Sequence, residues 1–369
     1  MEWIMFLCSI AAAAEVTPSE SCLLRTAEAV ELGRADLLAI QTAVETAADR
    51  LLAGGKLWAS GNPALVSEIT GRAGGLMMIR SLGTSVPAAG DVVLHFPESG
   101  GTSPDGPAFV AAFGGADAKG AVIPTHAEVC GISPSLAQAI PAWLFTGELV
   151  AALTRRGKMP VIFESIGAYG GYARMTQYKN GEVPFHDDKQ VPPVAYGVLG
   201  NRFADNVSAM LRRVDREQRA QLERAGAWAR EARAAKRQLF MYSMGHLFPD
   251  EVGKTALGAI FRSAVWNAGF RGPKPEDAYH AGDVAILIGY QHPPGDLLRK
   301  TRPAGAQVAY TALFADRDFV HDSGVVWIDP MWSWPDACVP LEGYDVPLLP
   351  ASGIVNAAIA WELYRLTAR

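Results

Sequence analysis

Residues 54–67 read GGKLWASGNPALVS, a short apolar strand pattern that runs into a Ser-Gly-Asn turn and then into the start of a helix. A strand that ends in such a turn and feeds a helix presents free backbone N–H groups and the positive end of the helix dipole. This arrangement suits phosphate or another anion. We therefore predict an anion-binding site at the turn Ser60-Gly61-Asn62.

Helical and strand patterns alternate on both sides of this turn. Apolar positions at helical spacing fill residues 23–53, and the pair Gly54-Gly55 ends that helix. The pattern predicts strands at 56–59, 76–80, 91–96 and 120–124, and helices at 63–72, from the loop after residue 103 to about residue 113, and at 136–156. Strands that alternate with helices of this length imply a parallel sheet covered on both faces.

The same order begins again in the second half of the chain. Residues 166–203 are rich in glycine and proline and predict a connector. A long charged helix, a strand and a Ser-Met-Gly-His turn follow, and then residues 281–287, AGDVAIL, repeat the pattern of residues 89–94, AGDVVL. The repeated order indicates a diverged duplication, with a first domain at 23–165 and a second at 204–369.

The composition excludes several classes of protein. The chain has 369 residues, of which 49% are hydrophobic and 19% charged, as expected for two packed α/β domains. The net charge of −5 provides no electrostatic footprint for DNA or RNA, so we expect no nucleic-acid partner. No run of about 18 apolar residues occurs, so we expect no integral membrane segment.

The sequence also argues against a metal site, a disulfide framework and a bound cofactor. The four cysteines form no CxxC pair and have no metal-like spacing with histidine. His186-Asp187-Asp188 resembles a metal cluster, but three consecutive residues cannot easily point at one ion, and a solvated loop is the favoured interpretation.

The first residues are open to two interpretations. Residues 3–14 form an apolar run of signal-peptide length that ends in three alanines, as at a cleavage site. The preceding residues, Met1 and Glu2, lack the Lys or Arg of a typical signal peptide. We favour a signal peptide at 1–14, which would make the protein periplasmic or secreted. The alternative is an N-terminal helix, or a misplaced start codon, of a cytoplasmic protein.

The order of motifs resembles the sugar isomerase (SIS) domain family, a phosphosugar-binding fold. The shared order is a long helix, a strand with a Ser-Gly turn, a helix, a Gly-Asp-Val strand and a Ser/Thr-rich loop, and it covers both halves. The resemblance implies a tandem of two flavodoxin-like α/β/α three-layer sandwiches, each around a parallel sheet of about five strands, with ligands at the carboxyl ends of the strands. SIS domains usually pair, so the resemblance implies that the two halves pack as a pseudo-dimer through their long helices, and a homo-oligomer is left open.

In that family the turn after the first strand and the Ser/Thr-rich loop cradle the sugar phosphate. The residues at those positions are Ser60, Gly61, Asn62, Ser67, Ser99, Gly100, Thr102 and Ser103. Hydroxyls and bare backbone amides at two adjacent strand ends can surround an anion with hydrogen bonds. The alternative is that these serines and threonines only cap helices.

The loops of the second half depart from this pattern. The segment GYQHPPG at 289–295 has almost no hydroxyls. We therefore expect this half to bind a different group or to act chiefly as a structural partner. His246 and His292 are interpreted as surface or capping residues rather than as members of a shared cleft.

Aldose–ketose isomerisation needs a base within hydrogen-bond reach of the substrate. In the phosphoheptose-isomerase branch of the family the base is a glutamate downstream of the first turn, where this sequence has Gly74-Gly75. The remaining candidates are Glu68, Glu98, His126, Glu148 and Glu164, of which Glu148, His126 and Glu68 are taken as the candidate catalytic residues. Glu148 lies in an apolar helix and is either a desolvated base or, as we slightly prefer, exposed to solvent.

The sequence therefore supports two hypotheses. The first is a protein that binds a phosphorylated sugar or related carbohydrate derivative, with or without aldose–ketose isomerase activity. The second is a non-catalytic structural or regulatory protein with a degenerate SIS fold.

Overall fold

The computed structural model describes residues 21–98, 102–115, 119–243, 251, 256–265 and 278–369, so the signal-peptide prediction for 1–14 lies outside the described residues. The elements of the first half are α1 (Cys22–Ala35), α2 (Leu37–Leu52), β1 (Leu57–Gly61), α3 (Pro63–Ile69), β2 (Arg80–Ser81), β3 (Val92–Phe96), β4 (Phe109–Phe113), β5 (Gly120–Ile123), α4 (Ala127–Cys130) and α5 (Pro134–Arg155). Strand β6 (Met159–Pro160) lies just before the connector, which contains α6 (Gly171–Gln177) and β7 (Phe185–His186). The elements of the second half are α7 (Val198–Glu217), α8 (Arg219–Ala234), β8 (Leu239–Ser243), α9 (Ala256–Ile260), β9 (Arg262–Val265), β10 (Val284–Ile288), α10 (Gly295–Thr301), β11 (Gln307–Thr311), β12 (Val325–Ile328), β13 (Ala337–Val339), β14 (Leu348–Pro350) and α11 (Ser352–Ala368).

Each half contains one five-stranded parallel sheet, and the two sheets have the same strand order. In the first sheet the order is β2-β1-β3-β4-β5, and in the second it is β9-β8-β10-β11-β12. The order 2-1-3-4-5 is that of flavodoxin-like doubly wound folds. The predicted fold class, α/β with two flavodoxin-like parallel sheets, is confirmed.

The aspartate of each Gly-Asp pair anchors the central strand of its sheet. Asp91 accepts hydrogen bonds from the backbone N–H of Lys56, before β1, and from that of Ala88, both at 2.9 Å. Asp283 accepts from Gln238 N, before β8, at 2.9 Å and from His280 N at 2.8 Å. The repeated Gly-Asp motif therefore closes the same turn in both halves.

Helices from both halves pack into one apolar core. Helix α1 contacts α7, α11 and α5, and α5 contacts α7. The core also contains inward-facing residues of both sheets, such as Leu94 in β3 and Ile286 in β10. The two sheets are therefore joined through a shared helical layer.

Two tryptophans occupy matching positions in this layer. Trp143 and Trp361 are the tenth residues of α5 and α11. The indole N–H of Trp143 donates to Glu68 Oε1 at 3.3 Å, and that of Trp361 donates to Glu251 Oε1 at 2.6 Å. Each indole thus meets a buried glutamate from the segment after the first strand of its own half.

Two amides match in the same way. Gln138 and Asn356 are the fifth residues of α5 and α11. Gln138 Nε2 donates to Pro97 O at 2.9 Å, and Asn356 Nδ2 donates to Gly289 O at 3.1 Å. Both carbonyls directly follow the central strand of a sheet, so the halves share side-chain contacts as well as strand order.

The outer faces of the two sheets differ. Leu297 and Leu298 of α10 pack on the outer face of the second sheet. The matching cluster on the first sheet includes Val93 and Val110, and no helix among the described residues contributes to it. The helix predicted to end near residue 113 is wrong, because 109–113 form β4. Pro104 and Pro107 disfavour a helix in the preceding loop.

We expect the substitutions Asp91→Asn and Asp283→Asn each to lower the free energy of unfolding by about 1–3 kcal/mol. In each variant the amide NH₂ would replace one of the two carboxylate oxygens and leave one backbone N–H donor without an acceptor. Urea denaturation measures the effect, and Asp187→Asn, at an exposed position in the connector, serves as the control. Equal stability of all three variants would contradict the anchoring role.

Candidate functional site

Ser60 and His95 form a polar pair where β1 and β3 end. The two residues are direct neighbours in the parallel register, and Ser60 Oγ lies 2.9 Å from His95 Nδ1. Alternation along the strands places both side chains on the outer face, with Trp58 and Val93. Ligands of open α/β sheets bind at this edge, outside the carboxyl ends of the strands.

His95 is the residue that distinguishes this pair. Its side chain is buried, and its Nε2 has no hydrogen-bond partner among the described residues. Burial lowers the pKa of His95, so the ring is neutral at pH 7. A neutral imidazole that uses Nδ1 for Ser60 offers Nε2 either as a hydrogen-bond acceptor or as a donor, depending on the tautomer.

The turn Gly61-Asn62 closes against β3. Gly61 has φ +93°, and a Cβ on it would lie 2.0 Å from Phe96 O, so this position requires glycine. Asn62 N donates to the same carbonyl at 2.8 Å. Asn62 Oδ1 accepts from Ala64 N at 2.9 Å and thereby caps α3.

Helix α3 contributes little to anion binding by itself. It has seven residues, and Asn62 already occupies one of its free N–H groups. Ser67 is exposed beyond the first turn of the helix. Asn62 therefore acts as the N-cap of α3, while Ser60 Oγ contacts His95.

The second predicted loop leaves β3 at the edge where Ser60 lies, but its described part approaches the opposite edge of the sheet. Lys119 Nζ, just before β5, donates to Pro104 O at 3.2 Å, and a Cβ on Gly106 would lie 3.0 Å from Pro87 O, before β3. Thr102 is exposed and Ser103 is half-buried in this loop, and Ser99 and Gly100 lie outside the described residues. No described contact joins Thr102 or Ser103 to Ser60 or His95.

Glu148 is buried, so the preference for an exposed side chain is wrong. Its carboxylate accepts hydrogen bonds from Gly197 N at 2.7 Å and Gly200 N at 2.8 Å, at the start of α7. Burial raises the pKa of Glu148, although these two bonds act in the opposite direction. The residue caps a helix of the other half, away from the Ser60–His95 pair.

Glu68 belongs to a buried network at the start of α11. Its Oε2 lies 3.3 Å from Arg72 Nη1, and Arg72 Nη2 donates to Asp336 Oδ2 and to Ser352 Oγ, each at 2.6 Å. A Cβ on Gly353 would lie 2.1 Å from Glu68 Oε1, so only glycine fits beside this carboxylate. The carboxylate is engaged in joining the two halves.

His126 pairs with a carboxylate from the first half. Its Nε2 lies 2.6 Å from Asp36 Oδ2, between α1 and α2. The residue follows β5, the edge strand, whereas His95 lies on the central strand β3. The structure therefore brings none of Glu148, Glu68 and His126 into contact with Ser60 or His95.

Glu164, just before the connector, has a strongly perturbed carboxylate. Its Oε1 lies 2.5 Å from Arg174 Nε, and its Oε2 is buried without a partner among the described residues. Burial raises its pKa to about 7, although Arg174 acts in the opposite direction. Arg174 also pairs with Asp345, at 2.6 and 3.0 Å, so this cluster ties the connector to the second half.

His186 is buried, so its assignment to a solvated loop is wrong. Its Nε2 lies 2.9 Å from Tyr344 Oη and its Nδ1 3.2 Å from Asp188 Oδ1. Asp187 and Asp188 are exposed, as predicted. In the described part of the chain, no group of three or more His, Cys, Asp or Glu side chains could hold a metal ion.

The second half lacks the Ser–His pair. The positions that match Ser60 and His95 in the register of the second sheet are Tyr242 and Leu287. Tyr242 Oη lies 2.7 Å from Tyr279 Oη. His292 is exposed at the edge of the second sheet where these strands end. His246 lies outside the described residues.

The sequence contained one signal for His95. It is the one polar residue of the strand VVLHF, and it stands near the strand's carboxyl end. Its partner Ser60 lies 35 residues earlier, so the pair becomes visible only through the strand register.

Helix α5 is the one helix among the described residues that is long and apolar enough to cross a membrane. Its most apolar window is entirely buried inside the protein, and its residues contact α1, α2 and α7. These contacts are those of a core helix.

No protein-family model and no curated protein matches the chain. Among solved structures, it is similar to the C-terminal domain of glucosamine-fructose-6-phosphate aminotransferase from Francisella tularensis, with 10% identity, a TM-score of 0.45, and coverage of 95% of this chain and 96% of that one. It is also similar to a proposed sugar-binding protein from Salmonella typhimurium LT2, with 12% identity, a TM-score of 0.47, and coverage of 94% and 97%. Similarity at this level carries no conclusion about a ligand or a reaction, and the fold assignment rests on the strand order.

We expect Glu164→Gln to change the pH dependence of stability between pH 4.5 and 7. The pKa of Glu164 is raised from 4.5 to about 7, so its contribution to stability is present below pH 4.5 and is lost as the pH rises through 7. Over this range the unfolding free energy of the wild type should therefore fall by about 1–2 kcal/mol relative to that of the glutamine variant. This is less than the full pKa shift implies, because solvent around Asp345 screens its interaction with Glu164.

Urea denaturation at pH 5 and pH 7.5 measures this difference. Glu182→Gln, at an exposed position in the connector, should follow the wild type. Parallel pH profiles for wild type and Glu164→Gln would refute the assignment of a raised pKa to this carboxyl.

Proposed function

We propose that this protein binds a carbohydrate derivative, in the first instance a phosphorylated sugar, at the carboxyl ends of β1 and β3. The observation that carries the proposal is the Ser60–His95 pair, in which a buried, neutral histidine keeps one ring nitrogen without a partner among the described residues. A buried polar atom without a partner costs about 1–3 kcal/mol. A ligand hydroxyl or phosphate oxygen at this edge would offset that cost.

The chemistry of the surrounding groups fits a polyhydroxylated ligand. Ser60 provides a hydroxyl group, which both donates and accepts hydrogen bonds, beside the His95 ring nitrogen that has no partner among the described residues. The described loop and turn offer neutral groups and no Lys or Arg at these positions. A phosphate would therefore be held by hydroxyls and backbone N–H groups, as in other loop-built anion sites.

The proposal includes aldose–ketose isomerisation, with His95 as the group that moves the proton. Glu68 and Glu148 are engaged in contacts between the halves, and His126 is paired with Asp36. His95 is the remaining titratable group of the pair at the strand ends. A neutral imidazole with a lowered pKa is in the basic form required to accept a proton.

We further propose that the halves are diverged SIS-like copies, at 23–165 and 204–369, joined by the connector 166–203. The shared strand order and the matched Trp–Glu contacts support a common origin. Tyr242 and Leu287, which replace the Ser–His pair, support a structural role for the second half.

The second candidate is a non-catalytic structural or regulatory protein with the same fold. One observation favours it: Glu68 and Glu148, the carboxylates considered for catalysis, hold the two halves together. In this case a sugar phosphate would bind without reaction, or would not bind.

We expect Ser60→Ala and His95→Asn each to weaken sugar-phosphate binding about tenfold or more, because each removes a hydrogen bond that the ligand or the pair requires. The measurement is calorimetric titration with glucose 6-phosphate, fructose 6-phosphate, glucose and inorganic phosphate. His292→Asn, at the matching edge of the second half, should bind as the wild type does. Unchanged affinity in both first-half variants, or no binding to the wild type, would rule out the site.

For the isomerase activity, we expect interconversion of an aldose and a ketose phosphate by the wild type and a loss of about 10²–10⁴-fold in His95→Asn. NMR of the aldose and ketose phosphates measures their interconversion directly, and deuterium incorporation from D₂O reports exchange of the transferred proton with solvent. Binding by the wild type without any interconversion would eliminate the isomerase and support the non-catalytic candidate.

A further inference from the structure

A cavity of about 520 Å³ lies where α1, α11 and the loop before α5 meet. This volume falls within the range of small-molecule pockets, about 300–1,000 Å³. Its apolar wall is formed by Ile132, Leu136, Trp361 and Tyr364. The rings of Trp361 and Tyr364 pack edge to face, with centroids 5.6 Å apart, and present a continuous aromatic surface.

The charged side chains that line the cavity are all basic. Arg25, Arg365 and Arg369 line it, and none of the described residues that line it is acidic. Arg365 is paired with Glu362, at 2.9 and 2.5 Å. The N-terminal ends of α1 and α5 border the same space, but Glu362 caps the first of them and the C-terminal end of α11 also lines the cavity, so the positive charge there comes from the arginine side chains.

Arg25 differs from Arg365 because its charge is not neutralised by a carboxylate. Its Nη2 donates to Cys22 Sγ at 2.9 Å, and none of the ion pairs among the described residues includes it. Gly131, with φ +60°, leaves room for the guanidinium, since a Cβ there would lie 3.1 Å from Arg25 Nη1. The cavity therefore combines an apolar wall with a cation that lacks a counter-charge.

We propose that this cavity binds an amphiphilic anion, a molecule with an apolar body and a single carboxylate. The body contacts Leu136, Trp361 and Tyr364, where removal of apolar surface from water drives binding. The carboxylate pairs with Arg25 through charge-assisted hydrogen bonds. None of the lining residues belongs to the Ser60–His95 site, so the two ligands occupy different places.

Calorimetric titration of the full chain with decanoate tests the proposal. Decanol below its solubility limit and decylamine below its micelle concentration separate the contribution of the carboxylate from that of the alkyl chain. Decanoate should bind, and decanol should bind at least about tenfold more weakly, because only the carboxylate gains an ion pair. Decylamine should bind most weakly of the three.

Three variants locate the site. Arg25→Gln should weaken decanoate binding about tenfold or more, while Arg25→Lys, which keeps the charge, should recover most of the affinity. Ala368→Trp places a large ring at the exposed rim and should abolish binding. Arg299→Gln, an exposed arginine of α10, is the control and should bind as the wild type does.

Circular dichroism and thermal unfolding establish that each variant is folded. If Ala368→Trp does not fold, the comparison of Arg25→Gln with Arg25→Lys still tests the proposal. Equal affinity for decanoate and decanol would overturn the proposal, as would unchanged decanoate binding in Arg25→Gln. Absence of decanoate binding to the wild type would also overturn it, and would leave a second copy of the chain or a protein partner as the occupant.

Discussion

The structure depends on one buried charge, the guanidinium of Arg72. Moving such a charge out of water costs several kcal/mol unless it is paired and fully hydrogen-bonded. Glu68 supplies one counter-charge from the first half, and Asp336 and Ser352 supply the remaining contacts from the second. Burial alone would lower the pKa of Arg72, but Glu68 and Asp336 raise it. The first half therefore needs the second to keep this charge inside the protein.

Each half also depends on the other for a helix cap in the shared helical layer. Glu148 of α5 accepts from the backbone N–H groups at the start of α7, and Glu362 of α11 accepts from Cys22 N, at the start of α1, at 2.9 Å. Each terminal helix thus carries a buried carboxylate that caps the first helix of the other half. The two repeats are separate in sequence, but their cores and their helix caps are shared.

Local patterns were sufficient to predict the central strands and the fold class. Alternation of apolar segments and the repeated Gly-Asp-Val motif identified β3 and β10, and Asp91 and Asp283 make the same contacts in both halves. Local patterns could not reveal the role of Glu148, whose partners at Gly197 and Gly200 come from the other half. An apolar helix with one glutamate looks the same whether that glutamate meets water or another helix.

The sequence indicated the turn that contains Ser60 but did not single out His95, the residue on which the proposed site rests. Ser60 belongs to the turn that the sequence indicated, whereas His95 is a lone histidine in an apolar strand and looks like a core residue. The helix expected near residue 113 was wrong because the buried segment FVAAF fits a central strand as well as a helix, and the sheet determined the outcome. Pairing across the sheet is long-range information that a single sequence does not display.

The contact between Glu362 and Cys22 also has a consequence for the order of folding. The first helix leaves the ribosome early, yet the side chain that caps its first turn is made 340 residues later. Such non-local contacts slow folding, since distant segments must meet before either is stabilised. The strands of the first sheet can pair during synthesis, but the helical layer closes only after the chain is nearly complete. Until then the apolar surfaces of α1 and α5 remain accessible to chaperones, and we expect the full-length chain to fold as one cooperative unit.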